Sequence, residues 1–199
     1  MSEIVRMVVV LSVIAGVCSA ALTAANIQLA PQIDKQTDLY VRGPALERIF
    51  GKPPAEVLGN KVVMQTNGQE IPVFFTENEG EVATIAVEAI GKGGFGGDLK
   101  IMVGIDLKTE RMTGMEVVSH SETPGLGSRI EEITFRRQWQ GLPTDNPVAL
   151  NSEGGGIDAI SGATTTSGAA IRGTNDVLTF VHEHREGILQ EIAKQKKDA

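Results

Sequence analysis

The chain has 199 residues, a formal net charge of −7 at pH 7 and a hydrophobic content of 41%. That length allows one compact domain with an accessory segment, and that hydrophobic content argues against extended disorder. The acidic balance argues against nucleic acid as a partner, and the single cysteine, Cys18, excludes an internal disulfide and any cysteine-built cluster or zinc site.

The first predicted element is an apolar helix near the N-terminus. Residues Met7 to Ala25 contain no charged side chain, and at about 1.5 Å per residue they reach roughly 28 Å, close to the thickness of a bilayer's hydrocarbon core. We expect a single-pass transmembrane anchor over residues 1–27. A cleaved signal peptide is the alternative, because Arg6 precedes the apolar run and small residues follow it.

The predicted orientation of the anchor follows from the charges at its start. Arg6 and the terminal amine, against Glu3, favour a cytoplasmic N-terminus. We therefore expect the chain in the inner (cytoplasmic) membrane, with its soluble domain on the periplasmic, extracytoplasmic side.

Residues 28–60 are predicted to form a helical connector between the anchor and the domain. In the segment Pro44–Phe50, Leu46 and Ile49 recur at helical spacing, and proline suits a first helical turn. No group of reactive side chains stands out here, so we interpret the connector as a spacer.

The pattern changes to short β-rich runs at the start of the predicted domain, residues 61–199, with an Asn67–Gly68 turn signal after the first run. The runs predicted as strands cover residues 61–65, 70–75, 82–90, 100–105 and 115–120. Two helices are predicted to follow, Ser128–Gln140 and Thr165–Lys194, with a break or kink in the second at Gly187. The predicted fold class is α+β, with an antiparallel or mixed sheet packed by helices.

A glycine-rich segment lies between the third and fourth predicted strands. Lys92 to Leu99 reads K-G-G-F-G-G-D-L, and four glycines in five positions predict tight turns and close backbone approach instead of regular structure. A phosphate loop is excluded, because no Lys-Ser or Lys-Thr pair follows and the next element is a strand. A flexible hairpin loop is the simplest interpretation.

Two further segments have unusual compositions. Ser121 to Gly127 reads S-E-T-P-G-L-G and predicts a turn at Pro124–Gly125. Asp158 to Gly168 reads D-A-I-S-G-A-T-T-T-S-G, just before the last helix. Its hydroxyl residues are typical of a helix cap, and together with free backbone N–H groups at a helix start they also suit a phosphate. Both interpretations stay open on the residues alone.

The motif D-x-x-S-G-A-T, formed here by Asp158, Ser161, Gly162, Ala163 and Thr164, resembles the flavinylation motif of the FMN-binding domain family. That family includes the G subunit of Rnf complexes and the C subunit of sodium-translocating NADH:quinone reductases. Two other segments also resemble it. The segment from Gly94 to Leu99 is similar to the family's G-[Tyr/Phe]-x-G-x-[Ile/Leu] turn, and H-x-E-T-P-G-L-G, from His120, is similar to a signature of those two proteins.

The resemblance implies a covalent cofactor. It implies that Thr164 carries FMN through a phosphoester to its hydroxyl, and that Asp158 belongs to the recognition motif of a separate flavin transferase that uses FAD and a divalent cation. The other cofactor-binding residues that it implies are Ser161, Gly162, Ala163, Thr165 and Thr166 around the attachment point, and Glu122, Thr123, Gly125, Leu126 and Phe95 near the isoalloxazine ring. No catalytic residue and no metal ligands are expected.

The function implied by the resemblance is that of a membrane-anchored electron-transfer flavoprotein subunit in an Rnf-type ion-translocating ferredoxin:NAD oxidoreductase. Its expected partners are the other subunits of such a complex, the flavin transferase and membrane lipid, and not nucleic acid. The chain's modest length favours this role over the alternative, the C subunit of a sodium-translocating NADH:quinone reductase. A third hypothesis is a non-redox, membrane-tethered assembly or ligand-binding domain.

Overall fold

The structure, a computed structural model, describes residues 2–66, 68–78 and 80–198. The chain forms two compact units, Met1–Asp38 and Leu39–Ala199. Asn67, half of the predicted turn signal, lies outside the described residues.

The first unit is the helix α1, Glu3–Thr37, which contains Pro31. Its apolar side chains are exposed; Leu11 and Leu22, for example, keep 66% and 72% of their surface accessible. Among the described residues, only the helical segment that starts at Glu3 is long and apolar enough to cross a membrane, with a mean hydropathy of 2.3 over 18 residues. A helix that exposes so much apolar surface along its length is suited to a lipid environment.

The second unit is built on an antiparallel sheet of five strands in the order β1-β2-β3-β4-β5. The strands are β1 Lys61–Thr66, β2 Gln69–Asn78, β3 Glu81–Gly94, β4 Gly97–Asp106 and β5 Arg111–Ser119. A π-helical turn, Asp38–Arg42, and the helices α2 Gly43–Phe50 and α3 Pro54–Val57 precede the sheet; α4 Ile133–Arg136 and α5 Thr164–Asp198 follow it. The prediction of an α+β fold is confirmed.

Both faces of the sheet are covered, which explains why the central strands read as almost continuous apolar runs. In β4, Ile101 and Val103 point into the main core, which α5 covers. Met102, between them, points to the opposite face, where it packs with Leu46 and Ile49 of α2 in a second, smaller core. Residues of the predicted connector therefore take part in core packing. The domain boundaries at residues 27 and 60 stay predictions.

The segment predicted as one helix, Ser128–Gln140, is instead three short turns. A 3-10 turn, Gly127–Glu131, ends at Glu132, whose backbone is extended (φ −63°, ψ 135°). The helix α4 and a 3-10 turn, Arg137–Trp139, follow. The prediction of a continuous helix is wrong, because this arrangement buries Ile130, Phe135 and Trp139 together in the core. The rings of Phe135 and Trp139 meet edge to face, with 5.2 Å between their centroids.

The last helix, α5, is continuous from Thr164 to Asp198, so the break expected at Gly187 is wrong, while the alternative, a kink there, stays a prediction. A glycine inside a helix costs about 1 kcal/mol relative to alanine, and tertiary packing offsets that cost here. Ile188 and Ile192, each 1% exposed, anchor the turn of the helix that follows Gly187. Gly187 itself faces β1, where an added Cβ would be 3.5 Å from Cε of Met64.

The first half of α5 crosses the end of β3 at a very close contact. A Cβ added to Gly91 would lie 2.9 Å from the carbonyl carbon of Ala169, and one added to Gly173 would lie 3.0 Å from Cα of Gly91. Arg172 closes the contact: its Nε and Nη2 donate to the carbonyl oxygen of Lys92 at 2.9 and 2.7 Å. This crossing fixes the start of α5 beside the turn between β3 and β4.

Candidate functional site

The glycine-rich segment is a tight hairpin and not a flexible loop, which corrects the prediction. β3 runs to Gly94 and β4 begins at Gly97, these two residues pair, and only Phe95 and Gly96 form the turn. The glycines are required because another chain segment lies against the turn. A Cβ on Gly96 would be 2.8 Å from Cα of Glu122 and closer still to the carbonyl of Ser121. The hairpin therefore lies on the loop that follows β5.

The carboxyl group of Glu122 fits into a slot between two glycines. A Cβ on Gly94 would be 2.5 Å from its Oε1, and a Cβ on Gly127 would be 2.8 Å from its Cβ and nearer to Oε2. Glu122 is only 6% exposed, and neither of its carboxyl oxygens has a hydrogen-bond partner in the described part of the chain. A buried carboxyl group without a partner is costly and calls for an explanation.

The backbone of this loop is held in place by local hydrogen bonds. The N–H of Glu122 donates to Nδ1 of His120 at 3.1 Å, and Nε2 of His120 lies 3.2 Å from Oε1 of Glu131. Because Nδ1 accepts a hydrogen bond, the ring proton is assigned to Nε2. His120 is half-buried and orients the backbone of Glu122.

The turn after Glu122 is tight and exposed. The carbonyl oxygen of Thr123 accepts hydrogen bonds from the N–H groups of Leu126 and Ser128, each at 3.2 Å. Gly125 has a positive φ of 77° and donates to Oγ of Ser128 at 2.9 Å. Leu126 is 49% exposed, and its Cδ2 would be 3.3 Å from a Cβ on Gly162. The loop therefore reaches the D-x-x-S-G-A-T segment.

That segment leads directly into α5. Gly162 has a positive φ of 79°, Ala163 is buried, and the helix begins at Thr164. Thr164 is exposed, as are its neighbours Ser161 and Thr165. The attachment point implied by the resemblance thus lies on an accessible surface, at the first residue of a 35-residue helix.

The first turn of α5 keeps its backbone donors free. The N–H of Ser167 is the first to bond within the helix, to the carbonyl of Ala163 at 3.1 Å. The N–H groups of Thr164, Thr165 and Thr166 have no acceptor among the described residues. They are the orphan donors expected at a helix N-terminus, where the helix dipole also favours an anion.

The hydroxyl groups near the helix start do not cap it. Those of Ser161, Thr164 and Thr165 make no hydrogen bond among the described residues, and that of Thr166 is buried without a partner. The capping interpretation fails for these four residues. The side chain of Ser167 instead holds the segment just before α5: its Oγ accepts from the N–H of Ile160 at 3.0 Å and donates to the carbonyl of Ala163 at 3.1 Å.

Asp158 is held by two side chains that the sequence did not single out. Both ends of the Gln138 amide bind its backbone: Oε1 accepts from the N–H of Asp158 at 2.6 Å, and Nε2 donates to its carbonyl at 3.3 Å. The carboxylate of Asp158 accepts a short hydrogen bond from Nδ2 of Asn151. Gln138 lies 20 residues away in sequence, so no local pattern could have revealed this contact.

The candidate site is an open surface and not a closed cavity. Phe95, 78% exposed, stands at the tip of the hairpin, and Thr123, Leu126 and Thr164 are also exposed. A cavity of about 720 Å³ lies elsewhere, lined by residues such as Asp106, Asn175 and Arg185 and by none of the predicted site residues. The contacts join the hairpin, the Glu122 loop and the D-x-x-S-G-A-T segment, while the binding roles of individual residues stay predictions.

Comparison with known proteins agrees with this arrangement. Residues 94–179, which run from the hairpin into α5, match the FMN-binding domain family. The chain is 34% identical over 125 residues to the G subunit of the ion-translocating oxidoreductase complex of Aliivibrio fischeri, and this match covers 59% of each protein. A protein of the same name from Shewanella amazonensis is 27% identical over 196 residues, which is 90% of this chain and 88% of the relative.

A solved structure supports the fold. It is the C subunit of the Na(+)-translocating NADH-quinone reductase from Parabacteroides distasonis, which superposes with a TM-score of 0.54 at 19% identity, over 75% of this chain and 93% of the other. The resemblance expected from the three sequence segments is confirmed as a similarity: residues 94–179 match the FMN-binding domain family, and the chain is similar to the G subunits of ion-translocating oxidoreductase complexes.

Proposed function

We propose that this chain is the electron-transfer flavoprotein subunit of an Rnf-type ion-translocating ferredoxin:NAD oxidoreductase and that it carries FMN as a phosphoester on Thr164. The FMN-binding domain match and the relatives named as G subunits support this role. The matched region spans only about 59% of the first relative's length. The assembly and its reaction are therefore part of the proposal.

The proposal rests on the polar groups that the fold leaves without partners at this surface. The free N–H groups of Thr164–Thr166 and the helix dipole suit a phosphate, with a gain of about 0.3–1 kcal/mol from the dipole. The buried, unpartnered carboxyl of Glu122 and hydroxyl of Thr166 suit the polar edge of a ligand. The exposed faces of Phe95 and Leu126 suit a flat aromatic ring. These residues fit FMN.

The attachment needs an external enzyme. The Oγ1 of Thr164 forms a bond to the FMN phosphorus of FAD while the pyrophosphate P–O bond breaks, so that AMP leaves and takes up the hydroxyl proton through solvent. No change of oxidation state occurs. Asp158 is a poor candidate for the base because its carboxylate is engaged by Asn151. The exposure of Thr164 suits access by a flavin transferase.

The chain's own residues hold the cofactor and tune its surroundings. When bound, FMN supplies the electron transfer, and the ring chemistry belongs to the cofactor. The covalent tether keeps the flavin from dissociating. Glu122, oriented by His120 and enclosed by the two glycines around it, would supply a carboxyl group of defined orientation near the ring.

The membrane placement is also part of the proposal. The helix α1 has the length and hydropathy of a membrane span. We place it as a single-pass anchor in contact with lipid, with the FMN-binding domain on the extracytoplasmic side of the inner membrane, beside the other subunits of the complex.

The test is covalent labelling of the full-length chain, co-produced with a flavin transferase. We expect a fluorescent band on a denaturing gel and an intact mass increased by FMN minus one water. Thr164→Ala should abolish both, whereas Thr165→Ala, at a neighbouring position that is also exposed, should retain them. Flavin found on Thr165 or Thr166 would overturn the site assignment. A chain that stays unlabelled by a transferase proven on another acceptor would favour the non-redox hypothesis.

A further inference from the structure

We infer that Gln138 is a positioning residue for the covalent attachment of FMN: its side-chain amide, by pairing with both backbone polar groups of Asp158, holds the segment before α5 in the conformation that presents Thr164 to the flavin transferase. This inference rests on the proposed function and adds to it a residue outside the D-x-x-S-G-A-T motif.

The amide pair is the main observation. The side-chain amide of Gln138 binds Asp158 as a neighbouring strand would, accepting from its N–H at 2.6 Å and donating to its carbonyl at 3.3 Å. A two-point pair of this kind fixes the rotation as well as the position of the bound peptide, because both hydrogen bonds must be satisfied at once.

Gln138 is itself presented by a rigid turn. It is the middle residue of the 3-10 turn Arg137–Trp139, and the next side chain, Trp139, is fully buried. The indole Nε1 of Trp139 donates to Oγ1 of Thr174 at 2.9 Å, and the hydroxyl of Thr174 donates to the carbonyl of Ala170. The turn is therefore tied to α5, the helix that begins at Thr164.

The segment between Asp158 and Thr164 is held at both ends. At its start, the amide of Gln138 and Nδ2 of Asn151 hold Asp158. At its end, Oγ of Ser167 accepts from the N–H of Ile160, and the N–H of Ala163 donates to the carbonyl of Ile160 at 2.9 Å. Ser167 is buried inside α5, so its contact forms with the helix. Gln138 lies at the surface and supplies the contact that a substitution can remove without opening the core.

A transferase must place the hydroxyl of Thr164 in line with the phosphorus of FAD, forming one P–O bond as the bond to AMP breaks. A segment that samples several conformations presents this hydroxyl correctly for only a fraction of the time. Without the Gln138 amide pair, Asp158 would be held through its side chain by Asn151 alone, its peptide groups would rotate more freely, and the attachment rate would fall although Thr164 and the motif are intact.

The experiment compares Gln138→Leu with Gln140→Leu in the full-length, detergent-solubilised chain. Gln140 is an exposed glutamine two residues away whose side chain makes no hydrogen bond among the described residues. Each protein is incubated with a purified flavin transferase, FAD and Mg²⁺, and initial labelling rates give the kcat/KM for the acceptor chain. Hydrogen–deuterium exchange at the amide of Asp158 and the thermal unfolding midpoint are measured on the same unlabelled samples.

We expect Gln138→Leu to lower kcat/KM by about tenfold, the effect of losing hydrogen bonds of ordinary net strength, and to speed exchange at Asp158. Gln140→Leu should match the wild type in both, and Gln138→Leu should unfold at a slightly lower temperature but remain folded at the assay temperature. Gln138→Glu keeps an acceptor for the N–H of Asp158 and should recover part of the rate. If Gln138→Leu does not fold, the same two measurements are made on Gln138→Glu. We then expect Gln138→Glu to be labelled more slowly than the wild type and to exchange faster at the amide of Asp158.

Labelling of the folded Gln138 variants at the wild-type rate would overturn the inference and leave the proposed function standing. Unchanged exchange at Asp158 would overturn it as well, because the amide pair would then not control the segment. If the wild-type chain itself stays unlabelled by a transferase proven on another acceptor, the proposed function and this inference both fail.

Discussion

The carboxyl group of Glu122 lies against the bare α-carbon of Gly127, where any side chain would collide with it. On the other side of the carboxyl, Gly94 of the hairpin leaves the same kind of space. The two glycines let a polar group enter a place that is 6% exposed and offers it no hydrogen bond among the described residues. Folding the flavin-free domain therefore includes a desolvation cost that a ligand donor would offset.

We expect Glu122→Gln to stabilise the flavin-free protein by about 1 kcal/mol, because an amide of the same shape costs less to desolvate than an unpartnered carboxylate. Chemical denaturation of the unlabelled chain measures this change. Glu153→Gln, an exposed position, should alter stability by less than about 0.5 kcal/mol. In the flavin-labelled chain the gain should shrink and the flavin absorption spectrum should shift. A loss of stability in the flavin-free state would contradict the conclusion that the buried carboxyl of Glu122 lacks a stabilising partner.

The hydrogen bond between Trp139 and Thr174 offers a second test. Thr174→Val keeps the volume and removes the acceptor of the buried indole N–H, so we expect a loss of about 1–3 kcal/mol in unfolding free energy. Thr179→Val is the matched control, since Thr179 makes the same hydroxyl-to-carbonyl bond within α5 but is exposed and has no tryptophan partner. Equal effects of the two substitutions would show that the indole bond contributes nothing.

The turn between β4 and β5 predicts a pH dependence. The N–H of Thr109 donates to the carboxylate of Asp106 at 2.8 Å, and the N–H of Lys108 donates to it at 2.9 Å. These hydrogen bonds, that of Thr109 most strongly, hold the pKa of Asp106 below its ordinary value of 3.8. A carboxyl whose pKa is lower in the folded than in the unfolded state contributes stability above the unfolded pKa. That contribution disappears as the pH falls through the folded pKa.

Asp106→Asn keeps the acceptor oxygen and removes the charge, so the wild type should be more stable at neutral pH and lose this advantage below about pH 3.8. The difference should be small, because solvent screens an exposed turn. Denaturant unfolding across the pH range measures it, and Asp176→Asn, an exposed residue on α5, serves as control. A constant difference between wild type and variant at all pH values would exclude the charge as its cause.

The local features of the fold could be predicted from the amino-acid sequence. The short β-rich runs from residue 61 predicted all five strands near their observed places, and short links between strands favour antiparallel pairing. The small and hydroxyl-bearing residues before Thr164 marked the start of α5, and three short segments indicated the resemblance to the FMN-binding domain family. Each of these signals is carried by neighbouring residues, and neighbouring residues set backbone preference and turn geometry.

The way in which those segments meet is a property of the folded chain and could not be predicted. Folding packs the hairpin on the Glu122 loop, brings Leu126 to Gly162, and gives Asp158 its contacts with Gln138 and Asn151. Folding also continues α5 through Gly187 and extends β3 and β4 up to the glycines of the hairpin. In both places the observed structure goes against the local preference of glycine. The physical reason is that burial against β1 and the close approach of backbones are interactions between distant parts of the chain. Their free energy exceeds the differences between local propensities, which are at most about 1 kcal/mol per residue.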